Sequence, residues 1–288
     1  MTSYESQSPN LDSHSRAMDL QYSQSSLQAY VECRRRFQLR YLWNVAWPAQ
    51  EAEPALEYER LIRQGEAFHF LIHQHLLGLP IERLSAMAQD EELKRWWLTY
   101  LRTIPPDLPG RNLPELTLTA SLENFRMVAK YDLISITEPA KFTIYDWKTS
   151  QNRPKRQWLA GHIQTRLYPY LLVKSGTFLN HNQPIQPERV EMIYWFPNFP
   201  GEPEHFSYNT EQYCQDEQYL KDLLFEITNL KENEFYLTTR PERCMYCTFR
   251  TLCERGVKAG PLHQVEASEL EVEGVINLDF EQIAEIEF

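Results

Sequence analysis

Three charged residues near the middle of the chain have the types and the spacing that metal-dependent chemistry requires. Asp146 and Lys148 flank Trp147 at the end of an apolar stretch, and on a β-strand residues two apart point to the same face. Asp132 ends the preceding β-rich stretch, so a hairpin would bring both aspartates to one edge of a sheet. Two adjacent carboxylates repel each other unless a cation lies between them, and their oxygens suit Mg²⁺ or Mn²⁺. The alternative is a surface ion pair at an exposed strand end.

A second chemical signal is a group of cysteines near the C-terminus, Cys244-x2-Cys247-x5-Cys253. No secretory signal accompanies them, which favours metal ligation over disulfide bonds. Three thiolates need a fourth ligand to complete a zinc site or an iron–sulfur cluster. Zinc sites usually pair two C-x2-C knuckles, and the second knuckle is missing, so the spacing favours the cluster. The remaining candidate ligands are Cys33 and Cys214.

Hydrophobic periodicity places these residues on the elements of an α/β domain. It predicts helices before the proline-rich stretch TIPPDLPGRNLP, which itself predicts a loop. Strand-like alternation follows, and then a helix crosses to a further strand, so the order is α-β-β-β-α-β with an antiparallel meander. The predicted strands are residues 115–122, 125–134, 141–148 and 190–196, and the predicted helices are residues 25–43, 55–77, 82–102, 155–175 and 209–231.

Asp132, followed by Asp146-Trp147-Lys148 in this order of elements, resembles the core of the PD-(D/E)XK nucleases. The resemblance implies a restriction-endonuclease-like α/β fold, in which helices flank a mixed central sheet. One departure is visible, since relatives commonly have glycine three residues before the first aspartate and Ala129 stands here. A small residue is kept, so we expect the site to be intact.

Two further motifs resemble those of the RecB-like branch of this superfamily. Gln164-x3-Tyr168 on a predicted helix is similar to its Q-x3-Y motif, and Gly65-x3-His69 is similar to the segment that carries its metal-binding histidine. Glu115 stands where relatives often hold an acidic residue. For Gln164 and Tyr168 the resemblance implies a role in positioning the site, and a packed amphipathic helix is the alternative for Tyr168.

The resemblance also implies a division of roles within the site. His69, Asp132 and Asp146 would ligate Mg²⁺ or Mn²⁺, and the backbone carbonyl of Trp147 would complete the protein ligands. Lys148 cannot ligate a metal, but its ammonium can orient a water molecule or stabilise charge on a phosphate.

The helix around Cys33, SSLQAYVECRRRFQLRYLW, resembles the opening helix of RecB-like nucleases that hold a [4Fe–4S] cluster. AddB-type domains and the CRISPR-associated Cas-four exonucleases share the arrangement of one cysteine near the N-terminus and three near the C-terminus. The resemblance implies Cys33, Cys244, Cys247 and Cys253 as cluster ligands and leaves Cys214 as a spare thiol. The cluster would join the two ends of the nuclease core, and Zn²⁺ is the alternative.

Charge is distributed unevenly along the chain. The net charge is −11, but residues 263–288 hold eight acids and no lysine or arginine, and residues 21–262 carry a net charge of only −1. Local basic groups matter more for phosphate binding than the total charge. Solvated helix faces are the alternative to a nucleic-acid contact. The candidate contacts are Arg34, Arg35, Arg36, Arg153, Lys155 and Arg156.

These patterns predict three segments in the chain. We expect a disordered tail over residues 1–21, a nuclease domain over residues 22–262, and an acidic C-terminal tail over residues 263–288. The acidic tail also holds many apolar residues, so it would dock on the protein itself or on a partner protein, or serve only solubility. No apolar run approaches the roughly 20 residues that span a bilayer, and the N-terminus lacks a signal sequence, so we expect a cytoplasmic location without membrane contact.

The resemblance implies a metal-dependent nuclease that hydrolyses DNA phosphodiester bonds. The expected activity is a single-strand-preferring exonuclease in DNA repair, recombination or CRISPR-type DNA processing. Two other classes stay open, a catalytically silent DNA-binding or assembly subunit and an RNA nuclease. A G-x4-GK[ST] phosphate loop is missing, so a helicase motor is not part of this sequence.

Overall fold

The computed structural model describes residues 13–45, 53–103 and 108–256. Its helices are α1 (Ser13–Asp19), α2 (Gln24–Glu32), α3 (Arg34–Phe37), α4 (Glu53–Leu76), α5 (Ile81–Met87), α6 (Glu91–Thr103), α7 (Arg156–Ala160), α8 (Ile163–Ser175) and α9 (Thr210–Asn229). Its strands are β1 (Gln21–Ser23), β2 (Arg111–Pro114), β3 (Thr117–Leu122), β4 (Phe125–Lys130), β5 (Leu133–Thr137), β6 (Lys141–Trp147), β7 (Val190–Trp195) and β8 (Glu204–Ser207). A π-helical turn, Gln38–Leu42, follows α3, and short 3₁₀ turns lie at Gly176–Asn180, Pro187–Arg189, Glu232–Glu234 and Pro241–Tyr246.

The strands form two sheets rather than one. The larger sheet has the order β2-β5-β6-β7-β8, and the smaller has the order β1-β4-β3. In the larger sheet only the β6–β7 pair is parallel, and α7 and α8 make the crossover between these two strands. The expected fold class, a mixed sheet flanked by helices, is confirmed.

The prediction of a single strand over residues 125–134 is wrong. The chain leaves the smaller sheet after Lys130 and enters the larger sheet at Leu133, so Asp132 lies in the break between β4 and β5. The Tyr131 N–H still donates to the Leu116 carbonyl at 2.9 Å, while the Asp132 carbonyl accepts from Glu115. Side-chain alternation continues through the break, so the sequence pattern does not reveal it.

Three further strands, β1, β2 and β8, lie where the sequence pattern predicted none. The proline-rich stretch ends in β2, which is an edge strand, and Pro114 at its end needs no ladder hydrogen bond there. At the opposite edge, β8 is only four residues long, too short for alternation to be recognised.

The predicted disordered tail over residues 1–21 is wrong for its second half. Residues 13–19 form α1, and Ala17 is fully buried, with its carbonyl accepting from the Tyr22 hydroxyl at 2.8 Å. Helix α1 packs against α9, where the carbonyl of Thr228 lies 2.6 Å from His14 Nδ1. Residues 1–12 and the acidic tail over 263–288 lie outside the described residues.

The larger sheet separates two hydrophobic cores. One core packs α8, α9 and the smaller sheet against one face and includes Ile144 of β6. The other packs α4 and α6 against the opposite face and includes Trp147 of the same strand. Because side chains alternate along a strand, Asp146 shares the face of Ile144 and lies toward α8. Among the described residues, none of the helices has the length and apolar character needed to cross a membrane.

Candidate active site

The two aspartates lie side by side at one end of the larger sheet. Leu133 pairs with Tyr145 in the antiparallel β5–β6 ladder, so Asp132, one residue earlier, lies beside Asp146. The Asp132 carboxylate reaches across this junction and accepts the Trp147 N–H through Oδ2 at 2.8 Å. The pairing of β5 with β6 therefore brings the two carboxylates together at one end of the larger sheet, as the sequence pattern predicts.

Asp132 also faces helix α4. Its Oδ1 lies 3.3 Å from His69 Nδ1, and its side chain is 20% exposed. Burial raises the pKa of the Asp132 carboxyl, but the charges of His69 and Lys148 and the hydrogen bonds from His69 and Trp147 outweigh it. The pKa therefore lies below its ordinary value of 3.8, and Asp132 is an anion at neutral pH.

Asp146 is more deeply buried and has two polar partners on its own side of the sheet. Its Oδ1 lies 2.8 Å from the Lys148 ammonium, and its Oδ2 accepts from Gln164 Nε2 at 2.7 Å. The side chains of Asp146 and Lys148 are only 4% and 9% exposed. An ion pair on an open strand end would be far more exposed, so this simpler interpretation of the pair is wrong.

Lys148 is held in place by contacts with the neighbouring strand β7. Its backbone N–H donates to the Trp195 carbonyl at 2.9 Å, which extends the parallel ladder past the end of β6. Its ammonium lies 5.6 Å from the ring centroid of Tyr194, and the Tyr194 hydroxyl lies 2.8 Å from Thr165 Oγ1 on α8. Sequence reasoning missed Tyr194 and Thr165. Tyr194 could have been found by pairing the predicted strands β6 and β7 in parallel, because that register sets Tyr194 opposite Asp146.

Helix α4 approaches the end of β6 closely at Gly65. A Cβ at this position would lie 3.1 Å from Thr149 Oγ1, so even alanine would require the Thr149 side chain to shift by a few tenths of an ångström. His69 lies one turn further along the same face of α4. His75, which matches no motif, contacts Tyr100 at 3.1 Å instead.

Helix α8 supplies Gln164 and, one turn later, Tyr168. The Tyr168 hydroxyl hydrogen-bonds with the Gln164 side chain and lies within reach of the charges of both aspartates. Burial raises the pKa of Tyr168 far above its ordinary value, so the hydroxyl stays protonated. The Tyr131 ring packs against it at 4.9 Å between centroids, and the Tyr131 hydroxyl donates to the Tyr168 carbonyl at 2.9 Å. Tyr168 therefore both packs in the core and faces the carboxylates.

Comparison with known proteins identifies the family to which this geometry belongs. The model of the PD-(D/E)XK nuclease superfamily matches residues 21–254, which is most of the chain. The chain belongs to this superfamily. No curated protein matches it at a significant level.

Two solved structures are similar to this superfamily member at low identity. SSO0001 is 11% identical with a TM-score of 0.40, and the match covers 85% of this chain and 96% of that one. A protein from Eubacterium rectale that is named as a candidate exonuclease is 10% identical with a TM-score of 0.48, over 91% of this chain and 96% of that one. Both likenesses are too distant to add to the family match.

Glu115 contacts the site through its backbone and not through its side chain. Its N–H donates to the Asp132 carbonyl at 3.1 Å, and its φ of 55° shows a left-handed conformation at the turn before β3. Its carboxylate forms an ion pair with Lys130. Glu115 matches the acidic position of the relatives, but its carboxylate contacts Lys130 and not the two aspartates among the described contacts.

The three arginines after Cys33 contact other residues of the same domain. Arg34 forms an ion pair with Glu226, and Arg36 forms one with Glu32. The Arg35 guanidinium donates to Gln38 and lies 4.5 Å from the Trp43 ring centroid. These contacts join α2 and α3 to the rest of the domain, which gives the three arginines a structural role that the charge pattern did not reveal.

The second basic group is also largely engaged within the domain. Arg153 and Arg156 both contact the carboxylate of Glu204, at 2.6 and 2.8 Å. Arg156 also lies 4.3 Å from the Phe206 ring centroid. Lys155 is exposed between them, and the described residues offer it no ion-pair partner. Of the six predicted contacts to nucleic acid, Arg35 and Lys155 have no acidic partner among the described residues, and Lys155 is the more exposed of the two.

Four of the five cysteines share one region, which we call the cysteine region (Cys33, Cys244, Cys247 and Cys253). Burial raises the pKa of the thiols of Cys244, Cys247 and Cys253. The ion pair between Arg243 and Glu32, at 2.9 Å, joins the residue before Cys244 to the residue before Cys33. The fifth, Cys214, is exposed on α9. Within the described parts of the chain, no three histidine, cysteine or acidic side chains are close enough together to hold a metal ion. The cluster, and a divalent ion held by His69, Asp132 and Asp146, therefore stay predictions.

Proposed function

We propose that this chain is a nuclease that hydrolyses DNA with Mg²⁺ or Mn²⁺, acting from single-stranded ends. The observation that supports the proposal is the carboxylate site, which we define as His69, Asp132, Asp146, Lys148 and Gln164. These five side chains come from α4, the β4–β5 break, the end of β6 and α8, and they meet at one end of the larger sheet. Membership of the superfamily supports metal-dependent phosphodiester hydrolysis. The preference for single-stranded DNA ends rests on the resemblance to RecB-like exonucleases.

The donor set of this site fits a hard divalent ion. Two carboxylates and an imidazole suit Mg²⁺ or Mn²⁺, and the depressed pKa of Asp132 keeps that carboxylate in its ligating form. We assign His69, Asp132, Asp146 and the Trp147 carbonyl as the groups that would hold the ion. The chemistry that such an ion supplies is a hydroxide at neutral pH and neutralisation of phosphate charge.

The chain's own residues orient the reacting groups. Gln164 donates to Asp146 Oδ2 at 2.7 Å and thereby fixes the carboxylate plane. Lys148, held between Asp146 and the Tyr194 ring, presents a fixed positive charge that would stabilise a phosphate as negative charge develops on it. The protonated Tyr168 hydroxyl adds a neutral donor beside Gln164. Because these groups are buried, their electrostatic effect is stronger than it would be in water.

We also propose that the cysteine region binds a [4Fe–4S] cluster. The support is that the Arg243–Glu32 ion pair brings the segment of Cys244 beside that of Cys33, whereas Cys214 lies exposed on α9. Thiolates are the ligands of such clusters, and Zn²⁺ would use the same donors. Iron, sulfide and zinc analysis of anaerobically purified protein distinguishes the two.

The experiment that tests the nuclease proposal uses single-stranded DNA, duplex DNA and RNA of one sequence, labelled at either end. With Mg²⁺ or Mn²⁺ we expect stepwise shortening of single-stranded DNA, slower loss of the other substrates, and no reaction in EDTA. Internal fragments would indicate an endonuclease, and faster loss of RNA would indicate an RNA nuclease. A protein that binds DNA without cutting it under any of these conditions would be the catalytically silent alternative.

The matched control separates chemistry from folding and from contaminants. Asp146→Asn removes one negative charge from the site with almost no change of shape. Asp222→Asn makes the same change at an exposed acid on α9 that accepts from Gln218 at 2.8 Å, away from the carboxylate site. We expect the first variant to be inactive and the second to match the parent, and equal rates for all three proteins would refute the assignment of the site.

A further inference from the structure

The start of helix α8 receives its cap from a distant part of the chain. Its N-cap residue, His162, makes no capping hydrogen bond with its side chain. The first N–H groups of a helix need acceptors when they are buried. The Ile163 N–H donates to Gln28 Oε1 at 3.1 Å, and the bond is buried although the two residues are 135 positions apart. Helix α2 therefore caps α8.

The orientation of the capping amide is fixed by a carboxylate. Gln28 Nε2 donates to Glu32 Oε1 at 2.9 Å while its oxygen faces the Ile163 N–H. The reversed amide would place oxygen against the carboxylate and the NH₂ group against an N–H, so the chemistry permits only one orientation. Glu32 thus holds Gln28 in its capping orientation.

Glu32 is itself held by the segment that carries the C-terminal cysteines. Its side chain is 4% exposed, its Oε1 lies 2.9 Å from the Arg243 guanidinium, and it also forms an ion pair with Arg36. Burial raises the pKa of Glu32, but Arg36, Arg243 and Gln28 outweigh it, so the pKa lies below its ordinary value. Arg243 directly precedes Cys244, so the carboxylate joins the cysteine region to α2.

The same hydrogen-bonded path ends at the carboxylate site. Ile163 directly precedes Gln164, whose amide donates to Asp146. His162, at the junction, responds to the charges of Glu32, Lys148 and Arg243, although burial is the main reason that its pKa falls to about 4. His162 therefore lies between Lys148 of the carboxylate site and the Glu32–Arg243 pair beside the cysteine region.

We infer that Gln28 and Glu32 are positioning residues of the nuclease reaction, which hold the start of α8 so that Gln164 meets Asp146. This inference rests on the proposed function. It gives the cysteine region a part in catalysis without contact to substrate, since Arg243 anchors the path at its far end. Displacement of a catalytic group by about 1 Å can cost 100-fold in rate, so a lost cap would be measurable.

The test replaces Gln28 with methionine, which keeps the length of the side chain and removes both hydrogen bonds. Gln38→Met is the matched control, because Gln38 is also fully buried and donates to the Glu232 carbonyl at 2.8 Å, away from α8. We expect Gln28→Met to lower kcat about tenfold with KM unchanged, as for other residues that orient ligands. Gln38→Met should lose stability but keep the parent kcat per folded molecule.

A double variant distinguishes positioning from general loosening. If Gln28 acts through Gln164, then Gln28→Met combined with Gln164→Ala has the same kcat as Gln164→Ala alone. Multiplication of the two losses, or a Gln28→Met variant with the kcat of an active parent, would overturn the inference and leave the proposed function standing. If Gln28→Met does not fold, Gln28→Asn replaces it, since the shorter amide cannot span the gap. An inactive parent protein would overturn the proposed function itself.

Discussion

Helix α8 contacts two buried aspartates, and they differ in almost every property except burial. Gln164 donates to Asp146, which lies beside a second carboxylate and a lysine. Two residues further along the helix, Arg166 donates to Asp216 of α9 at 2.8 Å. Asp216 has no acidic neighbour among its contacts and is fully buried.

The partners of Asp216 satisfy it completely. Oδ1 accepts from Arg166 and from Gln212 at 3.1 Å, and Oδ2 accepts from the Tyr208 hydroxyl at 3.1 Å. Burial nevertheless raises the pKa of Asp216 above its ordinary value in spite of these donors. The pKa of Asp132, in contrast, is lowered by its neighbours.

The difference teaches how a functional acid is recognised in this fold. A structural acid such as Asp216 is single and enclosed by donors, and its charge is a cost to the folded state. The site aspartates are paired at one end of the sheet, and one of them remains reachable, since the Asp132 side chain is 20% exposed. Deep burial alone would not have distinguished the two, so the decisive features are the second carboxylate and the access.

The largest expected effect concerns the charged pair of the carboxylate site. Asp146→Ala and Lys148→Ala should each lower the rate of DNA cleavage by about 1,000-fold or more, because buried charges that stabilise a transition state contribute that much. Circular dichroism and DNA binding should stay close to those of the parent. A variant that is folded and cuts at even a tenth of the parent rate would contradict the assigned roles.

The next effect concerns the cysteine region. Cys33→Ser should lose bound iron and lower the free energy of unfolding by about 4 kcal/mol, because the proposed cluster closes a loop of about 210 residues. The measurement is chemical denaturation together with iron and sulfide analysis under anaerobic conditions. Cys214→Ser is the control and should retain both iron and stability. Equal stability and iron content in the two variants would remove Cys33 from the ligand set.

A smaller effect is expected at Asp216. Asp216→Asn should lower the free energy of unfolding at pH 7 by about 2 kcal/mol, because it leaves Arg166 without its anionic partner. The loss is moderated because the Arg166 side chain is 30% exposed and the removed charge is itself unfavourably buried. The folded protein keeps the Asp216 proton to a higher pH than the unfolded chain does, so the parent loses stability relative to the variant as pH rises from 4 to 7. Denaturation across this range measures the difference. A difference that moves the other way would mean that the ion pair with Arg166 outweighs burial.

The smallest effect is expected from the acidic tail. Arg34 and Arg36 are already paired with Glu226 and Glu32, so much of the charge of this run is neutralised within the domain. Truncation after Leu262 should raise the affinity for single-stranded DNA by less than about threefold at low salt, and this gain should vanish as salt rises. A tenfold gain would show that the tail competes with DNA for the domain.

The sequence predicts the parts of the site that depend on neighbouring strands. Asp132 and Asp146 lie side by side because two consecutive strands pair, and the alternation of apolar residues sets their register. The break between β4 and β5 could not be predicted, since the side-chain period runs through it unchanged. The edge strand that ends at Pro114 was hidden by the prolines, which predict loops more often than edges.

The sequence does not predict the contacts that close over long distances. Arg34 meets Glu226 and Gln28 meets Ile163 only after the helices have packed, and nothing in the local pattern pairs these residues. The arginine run therefore gave a candidate phosphate contact from the sequence, although Arg34 and Arg36 already form ion pairs within the domain. Long-range polar partners follow from packing, whereas the strand-end motif follows from local register.

Mn²⁺ binding tests the central claim, that the paired carboxylates form a metal-dependent catalytic site, more directly than any rate. Electron paramagnetic resonance of free Mn²⁺, titrated with protein, counts the bound ions without any need for substrate. The account predicts that the parent and Asp216→Asn bind Mn²⁺ at the carboxylate site and that Asp146→Asn does not. Equal Mn²⁺ binding by the parent and Asp146→Asn, or loss of binding in Asp216→Asn alone, would contradict it.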